Sequence, residues 1–197
     1  MLIKRLFLLA AIALTALVTG CAHPISVTSD LAQIKGSSPA RINKSVGYFI
    51  APEDRTREVI TPGGGGDKVS YVPYRDLEAG MFKAMSEVFT NVTKLDSASD
   101  TARLAKDGIQ LVISPKLTTN SSSDSLLTWP PTQFSIELTC KVTDKVGAPV
   151  TEVKATGTGR AEFSEFKSDH SLSAKRAAQD AMAKLVKALE AAPELRR

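Results

Sequence analysis

The sequence offers two cysteines as nucleophiles, and their surroundings predict different roles for them. Cys21 directly follows Gly20 at the end of an apolar run, so its role depends on whether that run is a signal peptide. Cys140 lies in the segment 134–142, in which apolar and polar residues alternate with the period of a β-strand. The alternation puts Cys140 on the apolar face, so we expect a buried core thiol there rather than a nucleophile.

His170 belongs to the other group of residues that could do chemistry, because Asp169 precedes it and Glu162 and Glu165 are close in sequence. Such a set could bind a metal ion or transfer protons. An Asp-His pair directly ahead of a predicted helix is more simply explained as a helix cap. The sequence also lacks the Gly-x-Ser-x-Gly and His-Glu-x-x-His motifs of hydrolases and zinc proteases. We therefore expect no catalytic residues, no bound metal and no cofactor.

Four consecutive glycines, 63–66, invite comparison with loops that bind phosphate groups. The run is not followed by the Gly-Lys-Ser or Gly-Lys-Thr sequence of such loops, and Pro73 separates it from the next predicted helix. We expect a flexible loop instead, with Asp67 and Lys68 as solvated charges at its tip.

The N-terminus has the composition of an export signal. Lys4 and Arg5 precede an apolar run from Leu6 to Val18, which is shorter than the roughly 20 residues of a membrane-spanning helix. We therefore predict a signal peptide over residues 1–20. An ordinary cleavable signal peptide, with a cysteine after it by chance, is one interpretation of this segment.

The residues Val18-Thr19-Gly20-Cys21 resemble the lipobox of bacterial lipoproteins, which combines an aliphatic residue, two small residues and a cysteine. The resemblance implies cleavage between Gly20 and Cys21 and acylation of the Cys21 sulfur, which makes Cys21 the first mature residue. Ala22 in place of Asp implies sorting to the outer membrane, with the domain facing the periplasm. Two or more acyl chains would hold the protein firmly, since one chain alone binds membranes only marginally.

Length and composition favour one globular domain. The chain has 197 residues, of which 43% are hydrophobic and 23% charged. Basic residues exceed acidic ones by only 25 to 21, and Lys4 and Arg5 belong to the predicted leader. The charge balance therefore gives no basic field for nucleic acid, and we expect no nucleic-acid partner.

The hydrophobic pattern predicts how the mature chain is organised. We expect residues 21–44 to be a lipidated N-terminus and flexible tether, 45–192 a single domain, and 193–197 a tail. Within the domain we predict strands near 46–50, 92–95, 109–113, 134–142 and 150–163. We predict a main helix that starts at 74–77 and has apolar residues at helical spacing from Leu77 to Val92, a short helix over 97–106 and a final helix over 171–191. The fold class is α+β, with a mixed β-sheet of about five strands and two main helices packed on it, in the order β-α-β-(α)-β-β-β-α.

The lipobox, this element order and the sequence Tyr-Arg-Asp-Leu at 74–77 resemble the uncharacterised YajG-like lipoproteins and the lipoprotein activators of peptidoglycan synthases. The resemblance covers the chain loosely and transfers no active-site residue. It implies a small periplasmic domain.

Three segments with little predicted structure, 51–73, 114–131 and 163–170, should leave the sheet at one edge. The first, third and fifth strands run parallel if the crossovers are right-handed, and ligand sites favour the carboxyl ends of such strands. These segments, with the two residues that directly follow the first one, supply the candidate contact residues, which are aromatic or basic: Tyr71, Tyr74, Arg75, Trp129, Phe166 and His170. The alternative is that the aromatic side chains fold back and close the open end of the core.

The sequence thus predicts a non-catalytic, membrane-anchored envelope lipoprotein that serves as a protein-interaction or assembly accessory. Its expected partners are the membrane, through the N-terminal lipid, and an envelope protein. The alternative function is binding of a small ligand, glycan or lipid at the edge bordered by the loops, and a hydrolase comes third.

Overall fold

The structure is a computed structural model that describes residues 22–166 and 168–197. The predicted leader, the cleavage site at Gly20 and the lipidated Cys21 lie outside the described residues. Within the described part of the chain, no helix combines the length and the apolar character needed to span a membrane.

The described chain has the predicted α+β fold, and the elements of its main sheet follow the predicted order, with three further strands and a short helix in addition. The strands are β1 His23–Pro24, β2 Ile42–Phe49, β3 Val59–Pro62, β4 Lys68–Tyr71, β5 Phe89–Leu95, β6 Leu111–Ser122, β7 Gln133–Asp144 and β8 Pro149–Arg160. The α-helices are α1 Pro52–Thr56, α2 Pro73–Val88, α3 Thr101–Lys106 and α4 Leu172–Ala191. Short 3-10 turns cover Leu31–Gln33, Phe163–Glu165 and Pro193–Arg196.

The main sheet has five strands in the order β5-β2-β6-β7-β8, and α2 and α4 are its two long helices. Strand β2 pairs in parallel with β5 and with β6, whereas β6, β7 and β8 form antiparallel neighbours. The predicted mixed sheet is therefore confirmed, and so is the inference that β2, β6 and β8 run in the same direction. Their carboxyl ends share one end of the sheet, which we call the loop end.

The core lies between the sheet and the two long helices. The alternating residues of β7 that face it, Phe134, Ile136, Leu138, Cys140 and Val142, are all buried. Burial raises the pKa of the Cys140 thiol to about 12, so that the thiol stays protonated near neutral pH. The prediction of a core thiol is confirmed.

Helix α4 approaches β8 very closely, as its alanine-rich face predicts. A Cβ atom at Gly157 would lie 2.3 Å from the carbonyl oxygen of Ala177, and one at Gly159 would lie 2.0 Å from that of Ser173. The helix and the strand can touch through backbone atoms only because β8 has glycine at both positions. This contact fixes α4, and with it the segment that precedes α4, at the loop end.

The two edges of the main sheet differ. At the β8 edge, side chains of α4 bind the outward backbone groups: Asp180 accepts a hydrogen bond from the Thr158 amide at 2.9 Å, and Lys184 donates one to the Thr156 carbonyl at 2.9 Å. At the other edge, β5 pairs with β2 and with no second strand among the described residues. The β8 edge is therefore closed to a further strand, and the β5 edge is open.

The segment 51–73 was predicted as a loop, and this prediction was wrong. The segment contains α1 and the antiparallel pair β3–β4, and β1 adds to β4 in parallel to complete a second sheet in the order β1-β4-β3. The β-branched and aromatic residues of 59–62 and 68–71 form strands because the glycine run between them makes the turn. Strand β6 also extends to Ser122, so the predicted loop 114–131 shrinks to 123–132.

The tether predicted for residues 21–44 is also wrong for the part that the structure describes. Ile25, Val27 and Ile34 belong to the hydrophobic core, and the last two are fully buried. The free energy gained by burying these apolar side chains exceeds the conformational entropy that the segment loses when it becomes ordered. The tail predicted for 193–197 likewise packs onto the domain, because Leu195 is fully buried within its 3-10 turn.

Candidate contact surface at the loop end

The loop end is built by three segments that the sequence placed there: the β3–β4 turn, the β6–β7 loop and the segment between β8 and α4. The small sheet joins the main sheet through hydroxyl groups near this end. Thr61 and Ser121 are 2.6 Å apart, and the Tyr71 hydroxyl lies 2.7 Å from that of Thr119. These buried contacts hold the β3–β4 turn beside the β6–β7 loop.

The glycine run supports the β6–β7 loop rather than moving freely, so the flexible-loop prediction was wrong. The Gly64 amide donates a hydrogen bond to the Trp129 carbonyl at 2.8 Å, and the Gly65 amide donates one to the Ser125 carbonyl at 3.1 Å. A Cβ atom at Gly64 would lie 2.0 Å from the Thr128 carbonyl oxygen. The loop can lie this close to the turn because glycine has no side chain.

Trp129 is held between two histidines. The rings of His23 and Trp129 are stacked with centroids 4.3 Å apart, and the His170 ring meets Trp129 edge-on at 4.9 Å. The Nε2 atom of His23 also lies 3.8 Å from a carboxylate oxygen of Asp67. Sequence analysis missed His23 because it assigned this residue to the tether, and only the pairing of β1 with β4 reveals its place.

A groove of about 360 Å³ runs beside Trp129. It is lined by residues of all three segments: Asp67, Leu127, Thr128, Trp129, Pro130, Phe163, Phe166 and His170. Three apolar side chains at or next to this groove are unusually exposed, namely Leu126 at 88%, Leu127 at 94% and Phe163 at 63%. We call Leu126, Leu127, Trp129 and Phe163 the apolar tip.

The structure separates the predicted contact residues into two sets. Trp129 and His170 meet at the groove, and Phe166 contributes to its lining although it is only 4% exposed. Tyr71 and Tyr74 are 3% and 2% exposed, so they belong to the core and not to a contact surface. For these two residues the alternative prediction, closure of the core, is the correct one.

The two tyrosines and Arg75 have structural explanations. Burial raises the pKa of Tyr71, and the hydrogen bonds that its hydroxyl forms with Thr119 and Thr61 offset part of this rise. The Tyr74 hydroxyl accepts a hydrogen bond from the Leu117 amide at 3.0 Å and so ties α2 to β6. Arg75 is exposed and pairs with Asp76 next to it, and it does not line the groove.

The carboxylates near His170 are occupied by ion pairs. Asp169 accepts hydrogen bonds from the Lys175 ammonium at 2.7 Å and from the Ser171 amide at 2.9 Å. Its partial burial raises its pKa, but these hydrogen bonds and the positive charge together hold that pKa below the ordinary value. Ser171 stands at the cap position of α4, and its side chain makes no capping hydrogen bond.

Glu165 is engaged in the same way. The Arg176 guanidinium donates hydrogen bonds to both of its carboxylate oxygens at 2.7 and 3.0 Å, and these bonds, together with one from the Glu162 amide, lower the pKa of Glu165 to about 2. Among the described residues, no three or more His, Cys, Asp and Glu side chains are grouped in a way that could hold a metal ion. The polar groups of the loop end thus stabilise its structure, while the apolar tip is left exposed.

Comparisons with known proteins gave a likeness of fold. No protein-family model matches the chain, and no curated protein matches it significantly. Protein XCC0632 from Xanthomonas campestris, described with the family model DUF330, is similar with a TM-score of 0.50 and 11% identity over 84% of this chain and 93% of that one. A PelC dodecamer from Paraburkholderia phytofirmans is similar with a TM-score of 0.44 and 14% identity over 79% of this chain and 96% of that one. The first likeness concerns the fold alone, and the second is too weak to support an argument.

Proposed function

We propose that the chain is a lipoprotein of the bacterial cell envelope that is anchored to the outer membrane through Cys21 and faces the periplasm. In this proposal it acts as a non-catalytic accessory that binds an envelope protein. The anchor is supported by the lipobox-like residues 18–21, by the basic and apolar residues before them, and by Ala22 after the cysteine.

The non-catalytic role is supported by a difference between two sets of side chains at the loop end: the polar groups are paired with one another, and the apolar groups are exposed. His170 packs against Trp129, and the nearby carboxylates of Asp169 and Glu165 are bound to Lys175 and Arg176. These side chains stabilise the fold, whereas exposed leucine and phenylalanine side chains are presented to the outside. A cluster of exposed apolar groups around a rigid indole is typical of a contact surface.

The open edge of β5 supports a protein partner. A strand edge presents unpaired amide and carbonyl groups, which bind an extended segment of another protein by adding a strand to the sheet. Because α4 closes the β8 edge of the same sheet with Asp180 and Lys184, the two edges provide a natural comparison. We therefore propose that the envelope partner binds along β5.

The anchor is tested with Cys21→Ser in the full-length chain, with Cys140→Ala as the matched control. We expect Cys21→Ser to lose the acyl mass on the mature N-terminus and to leave the membrane fraction. Cys140→Ala should keep both properties, because Cys140 is a core residue far from the leader in sequence. Mass spectrometry of the intact protein and membrane fractionation measure the two effects. A Cys21→Ser variant that stays in the membrane fraction would contradict the anchor.

The partner is tested by placing a photo-crosslinking amino acid on each sheet edge in cells. Asn91 on β5 and Thr156 on β8 are both exposed and serve as the matched pair. We expect one discrete adduct with a single envelope protein from position 91 and none from position 156. Equal labelling from both positions, or none from either, would refute binding along β5.

The groove beside Trp129 supports the second candidate, a small-ligand binder, because its volume lies in the range of ligand sites. In that case native mass spectrometry of protein purified from envelopes would show a bound compound. Its loss in Trp129→Ala, with retained circular dichroism, would favour the ligand-binding function over the accessory function.

A further inference from the structure

The apolar tip exposes several large apolar side chains close to one another, which is uncommon on the surface of a monomeric domain. Leu126 and Leu127 are adjacent in the β6–β7 loop and almost fully exposed, and Phe163 lines the same groove as Leu127. Trp129 supports the loop from below, since it packs partly against the core. Such a cluster of exposed apolar side chains marks a surface that binds a protein or a membrane.

The position where the chain enters the domain identifies that partner. His23 stacks on Trp129 at 4.3 Å, and β1 holds it in place by pairing with β4. Residue 21 is two residues upstream of His23, so its Cα atom lies within about 7 Å of the Cα atom of His23. Whatever is attached at residue 21 is therefore attached beside the apolar tip.

We propose that the apolar tip is a membrane-binding surface that seats the loop end against the lipid bilayer. Leu126, Leu127 and Phe163 lie at the boundary between headgroups and acyl chains, with Trp129 just behind them. The inference rests on the lipid anchor proposed above, and it adds the orientation of the domain. The strands of the main sheet then rise away from the membrane, and the β5 edge faces sideways.

A bilayer fits this surface better than a protein does, because acyl chains on residue 21 would be attached within about 7 Å of His23, which stacks on Trp129, and would bring the bilayer to this end of the domain. Tryptophan and exposed aliphatic side chains prefer this depth of the membrane. The charges around the tip are mixed, because Asp67 is followed directly by Lys68 and Asp124 pairs with Arg160 at 3.4 Å. Binding should therefore depend on apolar insertion and not on anionic lipids.

The sole tryptophan of the chain provides the measurement, because Trp129 lies in the surface itself. The full-length chain is expressed with its own leader, purified from membranes in detergent and reconstituted into phosphatidylcholine vesicles that carry brominated acyl chains. We expect the bromines to quench Trp129 fluorescence, and bromines near the headgroup to quench more than those near the bilayer centre. Quenching should be unchanged when anionic lipid is added.

The variant pair separates insertion from mere proximity. Leu126→Asp combined with Leu127→Asp removes the apolar side chains, and we expect quenching to fall by at least half. Val146→Asp is the matched control: it is 79% exposed, and it lies in the β7–β8 turn at the far end of 12-residue strands, about 35 Å away. In Val146→Asp the bromines should quench Trp129 fluorescence as strongly as in the natural chain. Equal quenching in the Leu126/Leu127 double variant and in Val146→Asp overturns the proposal.

The outcomes distinguish this inference from the proposed anchor. An acylated chain whose Trp129 is not quenched overturns the membrane-binding surface and leaves the anchor standing. A chain without acyl groups overturns the anchor, and the same vesicles then decide whether the apolar tip binds lipid by itself. Protection of Trp129 from acrylamide without quenching by bromine would show that a second copy or another protein covers the tip, and would also overturn the proposal.

Discussion

Replacement of Gly64 by alanine should release the β6–β7 loop from its support. A Cβ atom at this position would lie 2.0 Å from the Thr128 carbonyl oxygen and 2.7 Å from the Ser123 hydroxyl. Contacts below 3.0 Å are essentially never tolerated, so the loop must move by about 1 Å or more. The movement breaks the hydrogen bond from the Gly64 amide to the Trp129 carbonyl, now 2.8 Å long, and displaces the indole from His23.

The expected cost follows from the two lost contacts. A backbone hydrogen bond contributes about 0.5–1.5 kcal/mol net, and a stacked aromatic pair contributes a similar amount. We therefore expect Gly64→Ala to lower the free energy of unfolding by about 2 kcal/mol, which corresponds to a fall in Tm of about 4–8 °C. Because the core lies elsewhere, the secondary structure should be retained.

Gly66→Ala is the matched control, since it lies in the same run but has open space around it. A Cβ atom there would meet nothing within 4 Å, although the φ angle of 89° makes alanine strained by about 1 kcal/mol. The expected losses of stability in the two variants differ little, so Trp129 fluorescence is the decisive assay. We expect Gly64→Ala to shift the emission to longer wavelength and to increase acrylamide quenching, and Gly66→Ala to do neither. An unchanged spectrum in Gly64→Ala, or equal shifts in both, would refute the reasoning.

Two further predictions concern the attachment of α4. A Cβ atom at Gly159 would lie 2.0 Å from a carbonyl oxygen of α4, so Gly159→Ala should lower the free energy of unfolding in urea by about 2 kcal/mol or more. Gly147→Ala, in open space, should cost only about 1 kcal/mol, and an equal loss in both would contradict the close packing. The hydrogen bonds from Arg176 and from the Glu162 amide lower the pKa of Glu165 from 4.5 to about 2, so their stabilisation is present above pH 4.5 and is lost as pH falls towards 2. The difference in Tm between the natural chain and Glu165→Gln should vanish over that range, and a difference independent of pH would contradict the assignment.

Local patterns predicted the elements that depend on one face being apolar. The alternation through Cys140 and the helical spacing of 171–191 placed β7 and α4 correctly, because each periodicity leaves a single way to bury its apolar side. The direction of β8 followed from two reversals along the chain. The convergence of three segments at the loop end could therefore be expected before their contacts were known.

Segments with weak patterns were misjudged for the same physical reason. Ile25, Val27 and Ile34 are isolated apolar residues in a polar stretch, and they become core residues only because this stretch packs against other elements. Its backbone amides bind Ser70 on β4, Asp76 on α2 and Gln179 on α4. The glycine run carries no periodicity, so its role as a support for the β6–β7 loop depends on what lies against it. Tyr71 and Tyr74 have the composition of contact residues, but their hydroxyl groups find partners on β6 inside the domain.

By itself the sequence determined the α+β class, the order along the chain of the five strands of the main sheet, and the lipobox-like residues that predict an anchor, since each is written in residues adjacent along the chain. Tertiary structure alone decided that His23 and His170 enclose Trp129, and that Leu126, Leu127 and Phe163 stay outside. The reason is distance along the chain. His23 and His170 are brought together through two different sheets and a helix, and no local preference of either residue encodes that meeting.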